Sequence, residues 1–269
     1  MREHSPTAAL ELGGCLLIDL RERVRSADGC VAGSWVTLPC AAIVEMSAWA
    51  GFDFVIVDME HSVISESDLE HMGRAGDASG ISVLVRVRNH QKEDITAALD
   101  TGIHGVLIPM VESAAVAEHV VSAVHPPPRG TRSSSPHSRG SGYSTKGYVP
   151  KATPFCAVEI ESRKGVDEIG EIVRIPGLDM VFIGPSDLRL SLLAEGVDQP
   201  TAEIRVAAAV DHVIASVQGL TWPVVGVPAS HPKLQWDRAT CTAKGVRLAT
   251  MSSDVDALAS GLLEGLKRF

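Results

Sequence analysis

Eight short runs of apolar, largely β-branched residues recur along this chain, with longer helical patterns between them. They are Val31–Leu38, Phe52–Asp58, Ser82–Val87, Gly105–Val111, Phe155–Glu161, Met180–Gly184, Pro223–Val227 and Gly245–Met251. Their starts are spaced on average by roughly 31 residues, the length of one strand-loop-helix-loop unit. Runs such as Val55-Ile56-Val57 and Val181-Phe182-Ile183 are continuous rather than alternating, as strands covered on both faces require. Val116, Val120 and Val124, like Ile95, Ala98 and Leu99, repeat at helical spacing. A last helix opens at Ser253 with Asp256 three residues on, and carries Val255, Leu258, Leu262 and Leu266. A helix from about Leu16 to Ala27 precedes the first strand and is placed to plug the bottom of a barrel. The pattern predicts one α/β domain over 1–269, a (β/α)8 TIM-type barrel, with 1–15 as a loosely ordered N-terminus. A doubly wound open sheet is the alternative, but no GxGxxG marks a dinucleotide crevice.

With 45% apolar residues in a chain of 269, there is enough material for a large core. A net charge of −9 disfavours nucleic acid and anionic membranes as partners and points to a small molecule. Nowhere do eighteen apolar residues run together, so neither a signal peptide nor a membrane span is expected, and the chain reads as cytoplasmic. The five cysteines (Cys15, Cys30, Cys40, Cys156, Cys241) lack CxxC spacing and read as reduced thiols. One segment, 125–151, is rich in Pro, Gly and Ser and carries Arg129, Arg132, Arg139, Lys146 and Lys151 without an acid. It reads either as a surface loop or subunit contact, or as a lid that attracts an anionic substrate.

Chemistry in such a barrel belongs at the C-terminal ends of the strands, because the interior is packed and only that mouth is open. The second run ends Asp58-Met59-Glu60-His61, the third at Arg86, the fifth at Glu159-Ile160-Glu161, and the sixth enters Gly184-Pro185-Ser186-Asp187. Side chains alternate along a strand, so Glu159 and Glu161 share a face, as do Asp58 and Glu60. Carboxylates gathered at one rim repel each other unless a cation balances them. A hard dication such as Mg²⁺ or Mn²⁺ on Glu161 and Asp187 is the simplest compensation, leaving positions open for water and a chelating 2-oxo acid. The backbone N–H groups of the 184–187 turn would take the substrate carboxylate, and Arg86 its keto or enolate oxygen. Singly, each residue also fits a structural role, as an ion-paired strand-end arginine or a solvated loop histidine. Schiff-base chemistry is disfavoured because all seven lysines fall in predicted helices or loops. No GxSxG, Walker A or HExxH is present, and His71, His90, His119 and His212 lie on predicted helices or their starts.

The strings GFDFVIVDMEH (51–61), VLVRV (83–87), GVLIPMV (105–111), AVEIESRKG (157–165) and FIGPSDL (182–188) resemble the HpcH/HpaI aldolases, metal-dependent class II pyruvate aldolases of the citrate lyase β-like superfamily. The resemblance covers roughly residues 20–269, in order. It implies a barrel that makes or breaks a carbon-carbon bond between pyruvate and an aldehyde through a metal-bound enolate, using Mg²⁺, Mn²⁺ or Co²⁺. Matched by motif, Glu161 and Asp187 take the metal positions, Arg86 the pyruvate-oxygen position, and His61 that of the acid/base histidine. Asp100, in ALDTG (98–102), matches the aspartate that supports that histidine, and Asp58 the acid beside the arginine. Gly184, Pro185, Ser186, Asp187 and Glu159 fall at substrate-binding positions. The resemblance further implies a homo-oligomer, a hexamer or trimer of dimers, with C-terminal helices exchanged between subunits. Three departures stand out: Glu159 where Gln is usual, Arg189-Leu190-Ser191-Leu192-Leu193 where small residues and Gly are usual, and Ser133 for a Gly. The leading expectation is a divalent-metal-dependent aldolase acting on a 2-oxo acid and an aldehyde. An acyl-CoA lyase whose basic loop holds CoA phosphates is one alternative, and a non-catalytic barrel that keeps the site for binding is the other.

Overall fold

A computed structural model describes residues 11–12, 15–16, 19–133, 135–144 and 153–268. All eight runs become strands: β1 (Val31–Val36), β2 (Phe54–Asp58), β3 (Ser82–Arg86), β4 (Gly105–Ile108), β5 (Phe155–Ile160), β6 (Met180–Ile183), β7 (Val224–Pro228) and β8 (Leu248–Ser253). Each pairs in parallel with the next, and β8 closes on β1, so the sheet has no edge. The helices are α1 (Leu20–Ser26), α2 (Ala41–Ala50), α3 (Glu66–Ser79), α4 (Lys92–Asp100), α5 (Ala114–Val124), α6 (Arg163–Asp167), α7 (Ile169–Ile172), α8 (Pro185–Ala194), α9 (Gln199–Ser216), α10 (Arg238–Ala243) and α11 (Asp254–Lys267). The fold is therefore the predicted (β/α)8 barrel. The helix expected from Leu16 starts instead at Leu20, because the Asp19 carboxylate accepts from the Arg21 N–H at 2.9 Å and caps it there. Residues 15–16 pair with 11–12 as two short antiparallel strands, and the remainder of the expected loose N-terminus, 1–10 and 13–14, lies outside the described residues.

Strand parity divides the molecule into an inner and an outer core. Val55, Val57, Val83, Val85, Val158 and Ile160 face outward and pack with the helices. Phe54, Ile56, Leu84, Phe155, Ala157, Met180 and Phe182 face inward, where Leu20 and Val24 of α1 join them and close the N-terminal end, as the sequence predicted. Gly33 sits on an inward position of β1, and a Cβ there would lie 2.3 Å from the Phe54 ring, so the ring occupies the space a side chain would need. Extending the same inward parity toward the C-terminal ends brings in Trp35, Asp58, Arg86, Glu159 and Glu161. The chain that packs the floor thus delivers ionisable groups to the mouth.

Two cations of the basic segment are paired with carboxylates of other elements. Arg132 pairs with Asp100 at 3.0 Å. Arg139 pairs with Asp77 and donates to the carbonyls of Thr101 and Gly102 at 2.9 and 2.8 Å. These two cations staple the segment to the ends of α3 and α4, a structural role that overturns the lid reading for them. Lys146 and Lys151 lie outside the described residues. Cys30, Cys40, Cys156 and Cys241 are free thiols, as expected. Among the described residues, no helix is long and apolar enough to cross a membrane. The last helix opens at the predicted cap, with Ser253 accepting from the Asp256 N–H. Asp254 is its only buried residue, and Leu258, Leu262 and Leu266 stand 53–72% exposed.

Candidate active site

Arg86 ends β3 directly beside Asp58 in the β2–β3 register, and the two form a bidentate pair: Nε to Oδ1 at 3.0 Å and Nη2 to Oδ2 at 2.7 Å. Asp58 Oδ1 also accepts from the Glu60 and His61 N–H groups at 3.0 and 3.3 Å, which fixes the turn leaving β2. Nη1 of Arg86 lies 3.4 Å from Glu159 Oε2, and Nε lies 3.2 Å from Glu60 Oε2. One face of the guanidinium rests 4.7 Å above the Trp35 ring, whose Nε1 donates to Thr250 at 3.1 Å. Burial alone would lower the arginine pKa, but the Asp58 bond and the charges of Glu159 and Glu60 more than reverse this, so Arg86 is a fixed cation. Its orientation is set on three sides, and the remaining Nη hydrogens are left for a ligand.

Negative charge at this mouth exceeds that of one arginine. Burial and the adjacent Glu161 carboxylate push Glu159 well above the ordinary carboxylate range. Glu161 is raised to about 7, chiefly by burial and then by the charges of Asp187 and Glu60, against the opposing Met110 N–H, which Oε1 accepts at 2.7 Å. Burial also raises Glu60, and its buried Oε2 has no hydrogen-bond partner. Met110 donates from a left-handed backbone, φ 53°, a strained conformation for a side-chain-bearing residue. Gly184 faces the two glutamates, and a Cβ there would lie 2.7 Å from Glu161 Cβ and 2.9 Å from its Oε2. Only a residue without a side chain leaves that oxygen approachable.

Asp187 lies in the first turn of α8, which begins at Pro185 and has no side-chain cap. The N–H groups of Ser186 and Asp187 are among the unpaired donors of that helix end, where the helix dipole favours an anion. Fit to a divalent cation rests on the donor set: Glu161 and Asp187 offer hard carboxylate oxygens in a site whose excess charge already raises its acids. Among the described residues no group of three or more His, Cys, Asp or Glu converges as a metal cage. Two protein ligands then leave the rest of the shell to water and substrate.

The structure gathers Asp58, Arg86, Glu159, Glu161, Gly184 and Asp187 as the sequence anticipated. His61 stands at the rim with its side chain 62% exposed and Nε2 3.7 Å from Glu60. No hydrogen bond or ion pair joins it to Asp100, which is engaged by Arg132 instead; the expected support of His61 by Asp100 is not formed within one chain. Sequence reasoning passed over Trp35, Met110, Thr250 and His231. Parity on β1, where Val31, Gly33 and Trp35 share a face, could have found the first. His231 follows β7 by three residues, and its Nε2 meets Ser186 Oγ at 3.1 Å. Applying the strand-end rule to β7 would have flagged it.

Comparison with known proteins points to one family. Residues 32–219 match the HpcH/HpaI aldolase/citrate lyase description. The chain is 33% identical over 241 residues to the 2-dehydro-3,6-dideoxy-6-sulfogluconate aldolase of Pseudomonas putida, spanning 87% of this chain and 92% of the relative. It is 37% identical over 182 residues to a hydroxypyruvate/pyruvate aldolase of Rhizorhabdus wittichii, spanning 66% and 71%. A solved structure of an HpcH/HpaI aldolase/citrate lyase family protein from Burkholderia cenocepacia superposes with a TM-score of 0.81 at 28% identity, covering 93% of this chain and 98% of that one. A match over residues 32–219, with a relative 33% identical across 87% of this chain and a solved barrel of that description superposing over 93% of it, places this chain in the HpcH/HpaI aldolase/citrate lyase family.

Proposed function

We propose that this chain is a divalent-cation-dependent aldolase that makes or breaks the bond between C3 of pyruvate, or a related 2-oxo acid, and an aldehyde carbon. The observation that carries this is the Arg86 cation, forked onto Asp58, within electrostatic reach of Glu161, whose carboxyl also feels Asp187 in the uncapped first turn of α8. The Ser186 and Asp187 N–H groups receive the substrate carboxylate. Arg86 directs its free Nη hydrogens at the keto oxygen and stabilises the negative charge that appears there when C3 loses a proton. Glu161 and Asp187 would hold a dication, whose charge would make that proton more acidic. His61, exposed at the rim, exchanges the proton with solvent and returns it to the aldehyde oxygen, with Glu60 beside its ring. Trp35 and Phe182, in edge contact at 5.9 Å, wall the inner side and keep water from the reacting carbon.

The acyl-CoA lyase reading is less well supported, because it needs the basic segment for phosphates and Arg132 and Arg139 are already committed to Asp100 and Asp77. For the bare face of α11 we propose a second copy of this chain as its cover, in a homo-oligomer. The central test is exchange of the pyruvate methyl protons in D₂O, followed by NMR with Mg²⁺, Mn²⁺ or Co²⁺. Metal-dependent exchange that falls by about a hundredfold in Arg86→Lys, which keeps the charge but loses the fork, supports the reading. Absence of exchange with every metal, together with no aldol product on adding aldehydes, would overturn it.

A further inference from the structure

At the opposite end of the barrel from the mouth, a cleft of about 410 Å³ opens between the ends of α1 and α9 and the starts of β7 and β8. Space of this size falls in the range of small-molecule sites. Ile214 and Val217, at the end of α9, join Val24 of α1 and the Trp222 ring in an apolar wall. That ring meets Phe155 edge-on with centroids 6.3 Å apart, so the wall is anchored in the inner core. The charge of the cleft is one-sided. Arg25, Lys244 and Arg247 line it and no Asp or Glu does, in a chain whose net charge is −9.

The three cations differ in how far they are committed. Arg25 pairs with Glu22 at 2.5 Å and Lys244 with Asp211 at 3.0 Å, but all four side chains are at least 37% exposed, and ion pairs so open to water yield readily to a competing anion. The Arg25 guanidinium also lies 5.6 Å from the centroid of the Trp222 ring, which keeps its charge at the wall. Arg247 is half-buried and has no carboxylate partner among the described residues. Its Nη2 donates to the carbonyls of Val24 and Ala27 at the C-terminal end of α1, which holds the side chain in place. Its Nε and Nη1 make no hydrogen bond among the described residues and are not buried, so their N–H groups stay open to a ligand. A guanidinium fixed by carbonyls and lacking an acid is a ready partner for an anion.

We propose that this cleft is a second ligand site, remote from the chemistry, and that it binds an organic anion: a carboxylate, sulfonate or phosphate on Arg247 and Lys244, with an apolar body against Val24, Val217 and Trp222. An inorganic anion lacks the body that the wall would cover, and a neutral molecule leaves the cations unused, so both parts are required. The site stands independently of the aldolase reading.

Two probes of the same shape test it, 6-bromo-2-naphthoate and its neutral counterpart 6-bromo-2-naphthamide. In calorimetric titrations the wild-type protein should bind the naphthoate about tenfold more tightly than the naphthamide, as a charge-assisted hydrogen bond predicts. An anomalous-scattering map from a crystal soaked with the naphthoate should place bromine in the cleft. Arg247→Gln should remove most of the preference for the anion, and Lys244→Gln should lower it by about threefold. Because Arg247 also holds the end of α1, Leu220→Glu supplies a variant at a cleft-lining position that is 44% exposed and leaves the core alone. It should weaken the naphthoate by about tenfold and the naphthamide far less. Absence of binding, equal affinity of the wild-type protein for the two probes, an unchanged preference in both Lys244→Gln and Leu220→Glu, or bromine only outside the cleft would each overturn the site.

Discussion

At the floor of the barrel, Leu20, Val24, Phe54 and Phe155 fill the interior with apolar side chains, and at the mouth the same strands present Asp58, Arg86, Glu159 and Glu161. From Phe155 to Glu159 on β5 the distance is four residues, about 13 Å of extended chain. All of these positions are buried, yet they differ in what burial does. At the floor it removes apolar surface from water and stabilises the fold. At the mouth it strips solvent from carboxyls, raising Glu161 to about 7 and pushing Glu159 well above the ordinary carboxylate range, a desolvation that a bound cation would relieve. The floor holds the barrel, and the mouth holds unrelieved charge for chemistry.

The sharpest way to break this comparison is to remove a mouth carboxylate. Glu161→Ala or Asp187→Ala should lower metal-dependent pyruvate exchange by about a thousandfold or more, with Tm unchanged or slightly raised. Calorimetry showing both variants unfolded would mean that these carboxylates are structural after all. The converse substitution, Phe54→Ala, should cost about 3–5 kcal/mol of stability in urea titrations, since the ring is fully buried and fills the space at Gly33. Exchange per folded molecule should persist; its loss would show that floor and mouth are not separable. Outside the barrel, Leu262→Glu on the bare face of α11 should reduce the mass seen by light scattering toward that of a single chain.

The smallest effect concerns a buried group that must stay neutral. His125, 1% exposed, has Nε2 3.2 Å from the Gly177 carbonyl and so donates there, leaving Nδ1 buried and unpartnered. Burial lowers its pKa. Below the unfolded value near 6.5, the unfolded chain binds a proton that the native ring refuses, so stability falls as pH falls. Between pH 7.5 and 5.5 wild type should therefore lose stability relative to His125→Gln, with a limiting slope of about 1.4 kcal/mol per pH unit below 6.5. Parallel pH profiles for the two proteins in denaturant titrations would contradict this.

Much of the site was legible because strand parity is local. Once Asp58, Arg86, Glu159 and Glu161 sit at the ends of inward-facing runs, closing the barrel brings them together without further information. Asp100 was different: its motif matched, but whether it meets His61 depends on the segment carrying Arg132, which captures it first. The basic segment misled for the same reason, since a count of arginines says nothing of Asp77 and Asp100 arriving from other elements. His231 was hidden because its meaning lies in a contact with Ser186 across 45 residues, in a loop without a motif.

By itself the sequence determined the eight-stranded barrel, its apolar floor and the identity of most charged groups at the mouth, because spacing and alternation are properties of neighbouring residues. Only the tertiary structure decided how those charges are partnered: Arg86 forked onto Asp58 and stacked on Trp35, Asp100 taken by Arg132, His231 aimed at Ser186. Pairing energies depend on distance and on exclusion of water, and both are fixed only when segments far apart in the chain close around one another.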